Sequence, residues 1–234
     1  MREVALLQVA GIVGMVGTAL YAAGDVLLLA PSAAAHGERR PLPVDVSNDR
    51  IMRRRAALLE ELARLPYWRL QWGALLGVLG APLTVAGLWL FYRSVSPAGP
   101  WLALPPTMLL LAAAVTGPFV HGSFAFVGQT VQALFAVDEA HRPMFAAMVR
   151  RQIVTIMICY GPLILAVIVA SAWATLAVLT GRTRLPTWVA GVNPVTMTIA
   201  WLLLKMILPQ RVGALLQGAG FSIAYFVWFA AMAG

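Results

Sequence analysis

Two side chains in this sequence could move a proton at membrane depth: Asp25, in Gly24-Asp25-Val26 late in the first apolar run, and His121, within the run from Gly117 to Gln132. Ionisable groups there are costly, so they face a bundle interior or a cavity and mark functional sites by default. A carboxylate beside an imidazole in a dry site is the smallest acid/base pair, and Asp25 and His121 are the candidate catalytic residues. Ser123, Gln129 and Gln132 follow His121 on the same run, while Trp72, Asn193, Ser222 and Tyr225 come from other runs; these seven are the candidate substrate-binding residues. At 100° per residue, Gln132 falls within about 20° of His121 around a helix and Gln129 about 80° away, so one flank could line a slot. Ring faces of Trp72, Phe119, Phe124, Phe126, Tyr225 and Phe226 suit a carbocation or a quaternary ammonium. Each residue also has a plainer role: His121 as a link between helices, Asp25 as an ion-pair partner of Lys205 or an arginine, and the aromatics as packing.

Other chemistries fit less well. The three histidines, His36, His121 and His141, have no HExxH spacing, so no metal is expected. No GxSxG elbow or phosphate-binding glycine loop occurs, and no cofactor is expected. The single cysteine, Cys159, excludes an internal disulfide and any CxxC pattern.

The elements that must position the pair are membrane helices. Of 234 residues 61% are hydrophobic and 11% charged, with a mean hydropathy of +0.82, which excludes an ordinary soluble domain. The pattern predicts a single all-α integral membrane domain with six transmembrane helices at about 4–30, 69–92, 101–136, 148–179, 188–208 and 212–233. A seven-helix alternative splits the third span at Gly117-Pro118, although proline in a membrane helix more often kinks it. The run 4–30 is too long for a secretory leader and carries Asp25.

Arginine outnumbers lysine sixteen to one, a bias that suggests a GC-rich bacterial genome. Most arginines, including Arg39, Arg40, Arg50, Arg53, Arg54, Arg55, Arg64, Arg69, Arg142, Arg150, Arg151 and Arg211, fall on one side, and Arg2, Arg93, Arg182 and Arg184 on the other. The positive-inside rule then makes the first loop, 31–68, cytoplasmic and puts both termini on the outer face of a bacterial cytoplasmic membrane. Within that loop, Ser47-Asn48-Asp49 offers a helix cap, and apolar residues recur from Ile51 to Leu65. An interfacial amphipathic helix on the leaflet is predicted, with a solvated helix packed on other loops as the equal alternative.

Counting about 1.5 Å per residue, Asp25 lies ~31 Å from Val4 and His121 ~30 Å from Trp101, both measured from the outer face. The two reach similar depth, near the cytoplasmic boundary, where Gln71, Trp72, Lys205, Gln217 and Ser222 also fall. Asn193-Pro194 reads as a helix cap more readily than as a ligand site.

Gly24-Asp25, Leu79-Gly80-Ala81-Pro82, His121-Gly122-Ser123-Phe124, the stretch Gly181-Arg182-Thr183 to Trp188, and Asn193-Pro194 together resemble a bacterial family of small multi-pass membrane proteins known only as a domain of unknown function. That resemblance implies no activity. In size the chain is also similar to integral-membrane terpene cyclases, without a residue-by-residue match. The leading expectation is a small membrane enzyme using acid/base chemistry on a lipid or isoprenoid-like substrate in an inner-leaflet pocket. The alternative is a carrier, channel or lipid-binding protein built on the same polar layer. Membrane lipids and a hydrophobic small molecule are the expected partners, nucleic acid is not, and a homo-oligomer is left open.

Overall fold

A computed structural model describes residues 2–30, 41–208, 212–213 and 218–234. His36, Arg39, Arg40, Arg211 and Gln217 lie outside the described residues. Among those described there are seven α-helices and no strand: α1 (Arg2–Leu29), α2 (Arg50–Arg64), α3 (Tyr67–Val95), α4 (Pro100–Ala136), α5 (Arg142–Leu179), α6 (Pro194–Ile207) and α7 (Gly220–Ala233). Short 3-10 turns occupy Ser96–Ala98 and Thr187–Gly191.

Four of these, α1, α3, α4 and α5, are long and apolar enough to cross a membrane. The third span is unbroken: Pro105, Pro106 and Pro118 all lie inside α4. The last two helices differ from the expected spans 188–208 and 212–233, since each has only 14 residues. At 1.5 Å per residue that is about 21 Å, short of the roughly 30 Å hydrocarbon core. The reason for the late start of α6 is local. The Asn193 side chain accepts hydrogen bonds from the Val195 and Thr196 amides while the Asn193 amide donates to Thr196 Oγ1, so the helix begins at Pro194.

Neighbouring helices in the row α7–α1–α3–α4–α5 pack against one another, with α6 beside α7 and α2 laid mainly on α4. Glycines set the closest spacing, between α1 and α3. A Cβ on Gly14 would stand 2.7 Å from the Gly87 Cα, and one on Gly17 would stand 2.7 Å from the Gly80 carbonyl oxygen. The backbones themselves touch, as in small-residue interfaces of membrane helices. The end of α7 meets α1 in its first half, where Gly11 faces Ala233, so both ends of the described chain lie towards one end of the bundle.

The helix Arg50–Arg64 forms as the sequence predicts. Asp49 caps it by accepting from the Ile51 and Met52 amides. Its apolar residues Met52, Leu59 and Leu62 are buried in a cluster with Leu70, Val127, Val131 and Ile153, so that face packs on the bundle. Arg53, Arg54 and Arg55 are exposed. Gln132 Nε2 donates to Leu65 O at 2.7 Å, and Arg150 pairs with Asp49 at 2.9 Å, tying this helix to α4 and α5.

Candidate acid/base centre

Asp25 and His121 meet. His121 Nδ1 stands 3.5 Å from Asp25 Oδ1, an ion-pair distance longer than a fully formed hydrogen bond. The imidazole is buried, and the Asp25 side chain is 15% exposed. Helix α4 does not pack broadly on α1; α3 lies between them, and the imidazole reaches through a gap in α3. Gly77 opens that gap, because a Cβ there would fall inside the His121 ring, and a Cβ on Gly24 would lie 2.8 Å from His121 Nε2. Two glycines on two helices thus create the slot that the ring fills.

The far side of the ring is fixed by a backbone group. His121 Nε2 is 2.8 Å from the Gly73 carbonyl oxygen. A carbonyl only accepts, so Nε2 carries a hydrogen and Nδ1 faces the carboxyl. The pair has two places for one further proton. It sits on Asp25 as a neutral acid facing a neutral imidazole, or on Nδ1 as an imidazolium facing a carboxylate. The second carboxyl oxygen is engaged too: Ser222 Oγ donates to Asp25 Oδ2 at 2.7 Å. Tyr21, one helical turn before Asp25, sets its ring edge-on to His121 with centroids 5.5 Å apart. The hydroxyl of Ser222 faces Asp25 and not the imidazole, so the arrangement is not that of an activated serine nucleophile.

Four helices therefore converge on the Asp25–His121 pair: α1 through Asp25 and Tyr21, α3 through the Gly73 carbonyl, α4 through His121 and α7 through Ser222. The remaining predicted residues are distributed differently. Trp72 is 51% exposed on the surface of α3. Ser123 donates to Phe119 O in its own helix, and Gln132 is committed to Leu65. Gln129 is half-buried on α4, two turns beyond His121. Tyr225 is buried among Phe221, Trp228 and Phe229. Asn193 is the cap of α6, with its Nδ2 donating to Thr175 Oγ1 and Ala190 O. Of the seven expected substrate contacts, Ser222 is the one that touches the pair.

Sequence reading missed Tyr21 and the Gly73 carbonyl. Spacing carried a signal for both: Tyr21 precedes Asp25 by four residues and so shares its face, and Gly73-x-x-x-Gly77 marks a close-packed flank of α3. Among the described residues no group of three or more His, Cys, Asp or Glu side chains could hold a metal ion.

Fold and centre together define a helical protein with spans long enough for a membrane and a carboxyl–imidazole pair at its heart. Within that class, the chain belongs to a family of unknown function, DUF6796, whose model matches residues 1–233. No curated protein and no solved structure matches it.

Proposed function

We propose that the protein handles a hydrophobic small molecule of lipid character in the membrane, as a carrier or lipid-binding protein whose bundle responds to the proton shared by Asp25 and His121. The observation that carries this reading is the engagement of every polar atom of the pair inside the bundle. Both ring nitrogens and both carboxyl oxygens have protein neighbours, contributed by four helices. Adding or removing the shared proton changes the attraction between α1 and α4 across α3. Helices that meet through glycines have little side-chain interlock to oppose such a shift. The membrane placement follows the arginines: the end bearing α2 is cytoplasmic and both termini face outward, with the four long helices as the full spans and the shorter α6 and α7 packed beside them.

A metal-independent acid/base enzyme acting on a lipid or isoprenoid-like substrate is the second reading. It is favoured by the residual exposure of the Asp25 side chain, which leaves room for a substrate to approach it.

Native mass spectrometry of the purified protein identifies a copurifying hydrophobic ligand and measures its retention between pH 5 and 8. Retention that changes with pH in the parent chain and is flat in Asp25→Asn supports the proposal. Retention indifferent to pH in both sinks it, and conversion of the ligand to a new product on incubation selects the enzyme.

A further inference from the structure

The first turn of α2 carries Arg53, Arg54 and Arg55, all exposed, with Arg53 Nη1 also donating to Ser47 O at 3.2 Å. Among the described residues none of the three has a carboxylate partner, whereas at the opposite end Glu3 is bracketed by Arg93 at 2.6 Å and Arg184 at 2.9 Å. Among the described residues, this charge at the α2 end has no carboxylate counter-charge. Nearby in sequence, the opening turns of α3 expose Tyr67, Trp68 and Trp72 by 58, 54 and 51%. Exposed tyrosine and tryptophan collect at the headgroup level of a bilayer. Trp89, 43% exposed, lies 21 residues beyond Trp68 on the same helix, about 32 Å away, which matches the hydrocarbon thickness. Arg55 Nη2 also donates to Met157 Sδ at 3.1 Å, so α2 lies against the flank of α5 and does not stand off in the cytosol.

We infer that the exposed first turn of α2 is a docking surface for anionic phospholipids, with Arg53, Arg54 and Arg55 taking lipid phosphate groups and holding α2 in the headgroup layer. Guanidinium groups suit phosphate because they donate in a planar fork. The buried Met52, Leu59 and Leu62 keep the opposite face on the bundle, so the arginines meet the lipid while α2 stays part of the fold. The inference is independent of what the centre does.

Delipidated full-length protein is titrated with phosphatidylglycerol and with phosphatidylcholine, and bound lipid is counted by native mass spectrometry. Phosphatidylglycerol is expected to bind more tightly. The triple variant R53Q/R54Q/R55Q should lose that preference by on the order of a hundredfold, from roughly fivefold for each arginine at a membrane surface. The lysine triple R53K/R54K/R55K, which keeps the charge, should retain most of it, and Arg182→Gln, far from α2, should leave it unchanged. Equal binding of the two lipids, undiminished preference in the glutamine triple, or an equal loss in Arg182→Gln overturns the inference. Displacement of the lipid by equimolar glycerol phosphate, or by polyglutamate, also overturns it, in favour of a soluble phosphate or an acidic protein.

Discussion

At the residue scale, the centre depends as much on absent side chains as on present ones. His121 can reach Asp25 only because positions 24 and 77 lack a Cβ. Gly77→Ala places a methyl group inside the imidazole and should cost about 1–3 kcal/mol, the usual range for overpacking. Gly161→Ala on α5, where a Cβ meets nothing within 4 Å, should be neutral or mildly stabilising. Thermal unfolding in detergent separates the two, and equal melting temperatures would show that the slot is not as tight as drawn. Ser222→Ala removes the donor to Asp25 Oδ2 and leaves His121 in place. It should shift the pH at which ligand retention changes without abolishing the response, and complete loss of the response would make Ser222 an essential member of the pair.

Helix ends control the element scale. The first helix finishes at Leu29 without a basic residue in its last turn, and its terminal carbonyls need donors from elsewhere. Arg69 supplies them: its Nε donates to Leu27 O at 2.9 Å, and its Nη2 to Ala30 O at 2.8 Å and Val26 O at 3.2 Å. One guanidinium from α3 thus caps the helix that carries Asp25, four residues before its end. Arg69→Gln should destabilise the protein by about 1–3 kcal/mol, given the strength of charged hydrogen bonds. Arg69→Lys should recover only part of this, since an ammonium cannot span three carbonyls in a fork. Full recovery by lysine would reduce the cap to a point charge.

The cap of α2 brings pH dependence at the same scale. The Met52 amide above all holds the Asp49 carboxyl below the usual carboxylate range; burial, next in size, pushes the other way, and the Ile51 amide and the Arg150 guanidinium add to the lowering. A depressed folded value means the carboxylate favours the folded helix at neutral pH, and that stabilisation fades as pH falls through the acid range towards the folded value. Acidification should therefore loosen α2 before the long helices. Asp49→Asn keeps a cap acceptor but removes this pH dependence. Hydrogen exchange of the 50–64 amides at neutral and acid pH measures it, and identical profiles in parent and variant would contradict the assignment.

For the whole molecule, the two ends of the bundle are chemically unlike. The end where α1 starts and α7 finishes is closed by Glu3 between Arg93 and Arg184, and the other carries the exposed arginines of α2 and the opening of α5. In a Cys159→Ser background, a membrane-impermeant thiol reagent should reach Arg182→Cys from outside intact cells and Arg54→Cys only after lysis. The opposite pattern would invert the orientation.

Hydropathy determined the long helices, because runs of 20 or more apolar residues have few other fates; it placed α1, α3 and α4 within three residues of their ends, whereas α5 starts at Arg142, six residues before the expected 148. The cap Asn193-Pro194 and the helix after Asp49 were equally legible, since capping is a local hydrogen-bond pattern. Depth counting also put Asp25 and His121 at one level. Depth is one coordinate, however, and adjacency requires two more. Which helix stands beside which was decided by glycine contacts across α1 and α3, and those contacts brought His121 through α3 to Asp25 and sent Gln132 to Leu65. Trp72, Asn193 and Tyr225 matched in polarity or depth but turned to the surface, a helix cap and an aromatic cluster. The azimuth of each helix is fixed by its neighbours' packing, which no local run of residues contains.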